Sequence, residues 1–247
     1  FLDRFALAFR IDALSAFFLV AAFTVCLLAA VYSFHYMDQP QRVVRTALHY
    51  LFFGLLTAAM ALVVTADNII TFVLCWELMS LTSLCLVLYD YEQAENRKAA
   101  YFYAVFSQVG AMCIIAAFAV IHAHSGSFGW DGAAGLPEAI KTVVFVLALV
   151  GFGSKAGIFP VHIWLPHAHP AAPSHISAVM SGVMIKIGIY GILRLYAVMD
   201  WHTPLLGRIV LITGLISGLL GVIYALGQHD LKRLLAYCSI AHVVYLL

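Results

Sequence analysis

The sequence predicts an all-α, polytopic transmembrane helix bundle with one broken helix, and three observations carry that expectation. Hydrophobic residues make up 64% of the 247 and charged residues only 10%, where a soluble domain carries roughly 25% charged and about 45–50% apolar residues. Apolar runs long enough to cross a bilayer, about 20 residues each, recur along the chain between short polar connectors. Residues 159–173 break that rhythm with Pro160, Pro166, Pro170 and Pro173, each of which removes a backbone donor and clashes with a preceding helical turn. Mean hydropathy is +0.99 and the net charge +1, so the lipid bilayer is the expected surrounding and nothing points to nucleic acid.

The apolar runs cover residues 11–36, 47–66, 68–88, 100–121, 142–157, 174–198, 205–227 and 234–247. The last would reach only about 21 Å as a helix, short of a hydrocarbon core of about 30 Å. The sequence is therefore expected to stop inside a helix. With Phe1 at its start and no signal peptide before the first run, it reads as the middle of a larger membrane protein. Connectors at 37–46, 90–98, 123–138, 200–203 and 228–233 are loop-like by their Pro, Gly, Asp and Asn content, and the Gly-rich 125–135 stretch is expected to be flexible. Between two prolines, residues 161–165 (VHIWL) are apolar and are expected to form the short second half of the broken helix. Such breaks are tolerated at membrane depth where they are buried in protein or line a wet cavity, and they recur at transport sites. Trp130, Trp164 and Trp201 fall near segment ends and are expected to be interfacial anchors. With alternating segments, Arg42, Arg45, Arg97, Lys98, Lys232 and Arg233 gather on one side, against Arg4, Arg10, Lys141, Arg194 and Arg208 on the other. That slight excess favours a cytoplasmic 90–98 loop.

Of the 13 basic and 12 acidic side chains, all but Glu77, Lys155 and Lys186 fall in connectors or at segment ends. Glu77 and Lys186 lie near the midpoints of their runs, Lys155 near the end of the half-helix before Pro160, and His242 inside the last run. An intramembrane charge costs about 2.5–3.5 kcal/mol on insertion scales. One reading is a buried Glu77–Lys155 ion pair that fixes helix packing, but it leaves Lys186 without an acidic partner in the spans. The other is a relay for protons or another monovalent cation, in which a buried lysine changes its proton affinity as a carboxylate approaches or withdraws. Ser80, Thr82, Ser83, Ser107, Gln108, Ser181, Ser217, Tyr190 and Tyr224 are polar groups in the spans that could hold the waters of such a relay.

His162, His167, His169 and His175 crowd the broken-helix region, and histidine is the commonest metal ligand. Their spacing matches no standard zinc site, and polar groups capping the break are the simpler reading. The five cysteines lie singly in apolar runs without C-x-x-C spacing, so no cofactor is expected in this chain.

Residues 76–89 (WELMSLTSLCLVLY) resemble the glutamate-bearing helix of the antiporter-like subunits of respiratory complex I. Residues 153–194 (GSKAGIFPVHIWLPHAHPAAPSHISAVMSGVMIKIGIYGILR) are similar to the same family's broken helix and the lysine helix after it, and residues 229–246 to its next charged turn and histidine helix. The wording HPAAPSHISAVMSGVMIK looks most like the large membrane subunits of formate hydrogenlyase and hydrogenase 4 (component B type). Where complex I subunits usually carry an aspartate, this chain has His167. The resemblance implies an antiporter-like inverted-repeat fold, with residues 47–198 as the first five-helix repeat and 205–247 as the start of the second. It implies Glu77, Lys155, Lys186 and His242 as translocation residues, with His162, Ser181 and Tyr190 accessory. It further implies partner subunits carrying a NiFe centre and iron–sulfur clusters, H⁺ or Na⁺ as the moving ion, and a bacterial or archaeal cytoplasmic membrane. Membership of an NADH- or ferredoxin–quinone oxidoreductase, membership of a multisubunit Na⁺/H⁺ antiporter and a membrane anchor that pumps nothing remain alternatives.

Overall fold

The computed structural model describes residues 6–37, 42–199 and 205–245. Its helices are α1 (Ala13–Tyr36), α2 (Val43–Thr65), α3 (Ile69–Val87), α4 (Ala94–Ser125), α5 (Glu138–Ala156), α6 (Leu165–Ala171), α7 (Ser174–Val179), α8 (Ile185–Val198), α9 (Leu205–Leu226) and α10 (Leu231–His242). A π turn, Met180–Met184, joins α7 to α8 into one span, Ser174–Val198. Among the described residues seven helices are long and apolar enough to cross a membrane. The last predicted run yields only α10 and a 3₁₀ turn, Val243–Tyr245, with Leu246 and Leu247 outside the described residues.

Helix ends follow local chemistry. Asp12, Asn68 and Asp230 accept the backbone N–H three residues ahead and start α1, α3 and α10. Gly126 and Gly157 adopt left-handed conformations, φ 69° and 77°, and stop α4 and α5 where a Cβ would be strained. The break after α5 lies where the prolines require it, but its second half is displaced from the expected one. Residues 161–164 form turns, and the helix starts at Leu165. Pro166 has no N–H and fits only the first helical turn, so the half-helix runs after it. The 90–98 connector is also shorter than expected, because α4 begins at Ala94.

Two sides are separated as alternation requires. Arg42 and Arg45 pair with Asp90 and Glu92, while Lys98, His167 and Arg233 line one surface recess. At the opposite end Arg194 pairs with Asp12. Burial pushes the Asp12 carboxyl up, but the Ser15 N–H and the Arg194 guanidinium outweigh it and hold it down to about 2.

The Ser174–Val198 span sits at the centre, with 67% of its apolar window buried against 28% for α1 and α9. Small residues permit close approach. A Cβ on Gly151 would meet the Gly110 carbonyl at 2.7 Å, and one on Gly188 the Phe152 carbonyl at 2.6 Å. These contacts press α5 between α4 and α8, which puts the end carrying Lys155 against the start of the lysine helix.

Two expectations fail here. Trp130 and Trp164 are core residues, 5% and 1% exposed; their indole N–H groups donate to the Ala66 and Ser154 carbonyls at 3.1 and 2.7 Å. Both carbonyls belong to interrupted backbone, where a buried acceptor needs a partner. Trp201 lies outside the described residues. The glycine-rich connector is folded: Ile69 N donates to Phe128 O, His122 stacks on Phe128, and residues Trp130–Ala133 form a 3₁₀ turn.

Candidate functional site: a buried lysine on a tyrosine

Lys155, in the last turn of α5, is 3% exposed. Its ammonium donates to Tyr103 OH at 2.6 Å and to Ser80 Oγ at 3.1 Å, and lies 4.9 Å from the Tyr103 ring centroid and 6.0 Å from that of Trp76. Tyr103 Oη lies 2.5 Å from Ser83 Oγ. Since Ser83 gives its own hydrogen to the Met79 carbonyl, Tyr103 is the donor there and keeps its oxygen lone pairs for the lysine. With that hydrogen given to Ser83, its oxygen only touches Met184 Sδ, 4.0 Å away in the π turn ahead of Lys186. The Tyr103 ring is fixed edge-on to Trp164 at 4.9 Å.

Glu77 does not pair with Lys155; no ion pair joins them among the described residues. Helical geometry explains why. At about 100° per residue, Trp76 and Ser80 share the face of α3 turned to Lys155, and Glu77 is rotated to its flank. There it is half-buried and receives Gln108 Nε2 of α4 at 3.5 Å.

Lys186 opens α8 just past the π turn. The Ile185 N–H bonds the Met180 carbonyl five residues back, and the Lys186 ammonium donates to the Ser181 carbonyl. The side chain thereby satisfies a carbonyl in the widened turn, a geometry frequent at functional sites. Lys186 has no acidic partner among the described residues.

The accessory positions fare unevenly. The Ser181 hydroxyl stays local, donating to the Ala178 carbonyl at 3.3 Å, so the lysine uses its backbone and not its side chain. Tyr190 is buried and donates to the Val64 carbonyl at 2.8 Å, where it ties α8 to α2. His162 sits in the turns between α5 and α6 beside Phe159, with no partner for Nδ1 among the described residues. His242 is exposed on α10, near Tyr245, and the structure does not bring it to either lysine.

The four clustered histidines diverge in space. His167 stacks on Phe102, His169 hydrogen-bonds Ser177, and His175 meets His49. No group of three metal-ligating side chains converges among the described residues. Sequence reading missed Tyr103, which stands in an aromatic run (AYFYAVF) indistinguishable from core, and His49, which lies far from the other histidines in sequence.

Seven apolar helices around Lys155 and Lys186, which meet no carboxylate among the described residues, define a multi-pass integral membrane protein with buried polar groups. The chain belongs to the NADH:quinone oxidoreductase/Mrp antiporter transmembrane family, whose model matches residues 66–247. Residues 4–45 match the chain 5 N-terminus of NADH-ubiquinone oxidoreductase (complex I). Hydrogenase-4 component B of Escherichia coli is 38% identical over 96% of the chain, which covers 36% of that protein. A probable K⁺/H⁺ antiporter component of Rhizobium meliloti is 33% identical over 95% of the chain and 24% of its own length. The fold matches the Mrp complex from Dietzia at TM-score 0.85, with 24% identity over 95% of this chain and 26% of that one. It also matches an archaeal membrane-bound sulfane sulfur reductase at TM-score 0.83, with 28% identity over 96% and 40%. The chain thus spans about a third or less of the relatives it matches in sequence here.

Proposed function

We propose that the chain is part of the large membrane subunit of a hydrogenase-type, formate hydrogenlyase-like complex in a bacterial or archaeal cytoplasmic membrane. The subunit couples electron transfer in its partners to translocation of protons or another cation. The observation that carries this reading is Lys155: a nearly inaccessible ammonium held by two hydroxyls, with no carboxylate against it among the described residues. Such a lysine can give up its proton without breaking an ion pair, and its Tyr103 contact reaches the π turn that precedes Lys186. Glu77, approached through Gln108, acts on Lys155 from the flank of α3 by its charge. Lys186 is the next station, and His242 faces outward to helices of the second repeat. His162, Ser181 and Tyr190 support this path from the break and from the lysine helix. Residues 47–198 form the first repeat and 205–247 open the second.

The NiFe centre and iron–sulfur clusters belong to peripheral partner subunits in this reading, and the electron-transfer energy reaches this chain as a shift of charge near Glu77. The 38% identity to hydrogenase-4 component B supports the choice of a hydrogenase. Two measurements on the intact complex, purified through this subunit in mild detergent, test it. Nickel with abundant iron and no flavin is expected; flavin without nickel assigns the chain to a quinone reductase, and neither to a stand-alone antiporter. Lys155→Ala and Glu77→Gln should abolish ion translocation in an assembled complex, and unaltered translocation overturns the relay.

A further inference from the structure

A second buried polar unit lies apart from the lysines. His49 on α2 and His175 in the first turn of α7 are each 2% exposed, and their Nε2 atoms are 2.7 Å apart. At that separation one ring donates and the other accepts, so the bridge holds one proton. Neither Nδ1 has a hydrogen-bond partner among the described residues. A pair kept for packing alone would be destabilised by two unsatisfied buried nitrogens. A pair that hands protons on needs both of them free.

The surroundings provide a way in. A polar vestibule of about 310 Å³ opens at the Asp90 end, lined by Tyr36, Tyr89, Asp90, Asn96 and Lys232 among others. Two of its walls touch the couple: the Tyr36 ring is 5.6 Å from His175 and the Tyr89 ring 5.3 Å from His49. Two residues further along α7, Ser177 binds His169 Nδ1 at 2.7 Å. His169 is also 2% exposed, its Nε2 has no partner among the described residues, and the charges of Lys232 and Lys186 both act on it.

We propose that His49 and His175 form a proton-transfer couple carrying protons between the Asp90-side vestibule and the bundle interior, toward His169 and Lys186. This rests on the proton-translocating form of the proposed function. A proton arriving at the free Nδ1 of the donor ring makes an N–H bond and an imidazolium. The bridging Nε2–H bond breaks as the same hydrogen bonds to the partner's Nε2, and the partner releases its Nδ1 proton on the far side. One proton enters and one leaves, and no electrons move. The bridge is left with reversed polarity, and both rings must return to their starting tautomers before the next forward transfer.

The test uses the intact complex reconstituted in liposomes, with redox turnover and proton uptake (a pH-sensitive dye) measured together. His175→Gln supplies a donor and an acceptor for any structural bond but cannot pass a proton through its side chain in this way. The expected result is an assembled complex whose proton uptake falls about a hundredfold, the scale of a lost positioned proton-transfer group. His49→Gln should give the same result, and decides the matter if His175→Gln fails to assemble. Lys186→Ala is the control. Full proton uptake in the assembled glutamine variants, with loss in Lys186→Ala, overturns the couple and leaves the proposed function standing. Full uptake in all three variants overturns both.

Discussion

Replacing Lys155 with methionine separates a working lysine from a structural one, because the two roles predict different stabilities. Methionine keeps the unbranched side chain and removes the charge. Taking a cation out of the membrane interior relieves about 2.5–3.5 kcal/mol on insertion scales. Against that, Tyr103 Oη and Ser80 Oγ lose their ammonium donor, and leaving buried polar atoms short of a partner costs about 1–3 kcal/mol each. Tyr103 keeps its bond to Ser83, so Ser80 is the main loss. No carboxylate is orphaned, since Glu77 sits with Gln108 and not with the lysine. The net change therefore runs from about 0.5 kcal/mol less stable to about 2.5 kcal/mol more stable, so the Tm should fall by no more than about 2 °C. The assay is thermal unfolding of the purified complex in mild detergent, with ion uptake in liposomes measured alongside. Lys155→Met should hold or raise its Tm and lose translocation. A fall of more than about 10 °C, as breaking a buried ion pair worth about 3–5 kcal/mol would produce, refutes the reasoning and makes Lys155 a packing group.

Other consequences follow from single contacts. Gly188→Leu should prevent the subunit from accumulating in membranes, since even a Cβ meets the Phe152 carbonyl at 2.6 Å and backbone cannot yield; Gly54→Ala, with open space around it, should raise stability by up to about 1 kcal/mol. Trp164→Phe should cost about 1–3 kcal/mol in a denaturation series, because the Ser154 carbonyl loses its indole donor. Asp12 gives a pH signature. Its carboxyl lies near 2 when folded against an ordinary 3.8, so the stability it contributes is complete above about pH 4 and is lost as pH falls toward 2. Melting curves across that window should show the loss, and Asp12→Ala should lack that component while being less stable at neutral pH.

Much of the architecture was legible in one dimension. Hydropathy located the seven spans, prolines located the break, and insertion cost singled out Glu77, Lys155 and Lys186, because each of these depends only on depth along a helix. The boundaries that moved did so for local reasons that could have been weighed: Pro166 demands a first-turn position, and Ala94 and its followers continue α4 outward through charged residues. The tryptophans misled because position near a span end says nothing about whether an indole faces lipid or an unpaired carbonyl.

What the sequence by itself determined was that this chain crosses a membrane repeatedly, carries charges at membrane depth and shares its motifs with an ion-translocating family. What only the tertiary structure decided was rotation. Membrane helices are apolar on the lipid face and on the packed face alike, so little amphipathic signal marks which side of a helix looks inward. Rotation about α3 set Ser80, and not Glu77, toward Lys155, and the packing of α4 on α5 brought Tyr103 to it. The fold also joined His49 to His175 across α2 and α7. Those partnerships depend on angles around helix axes and on close glycine contacts, which spacing along the chain does not contain.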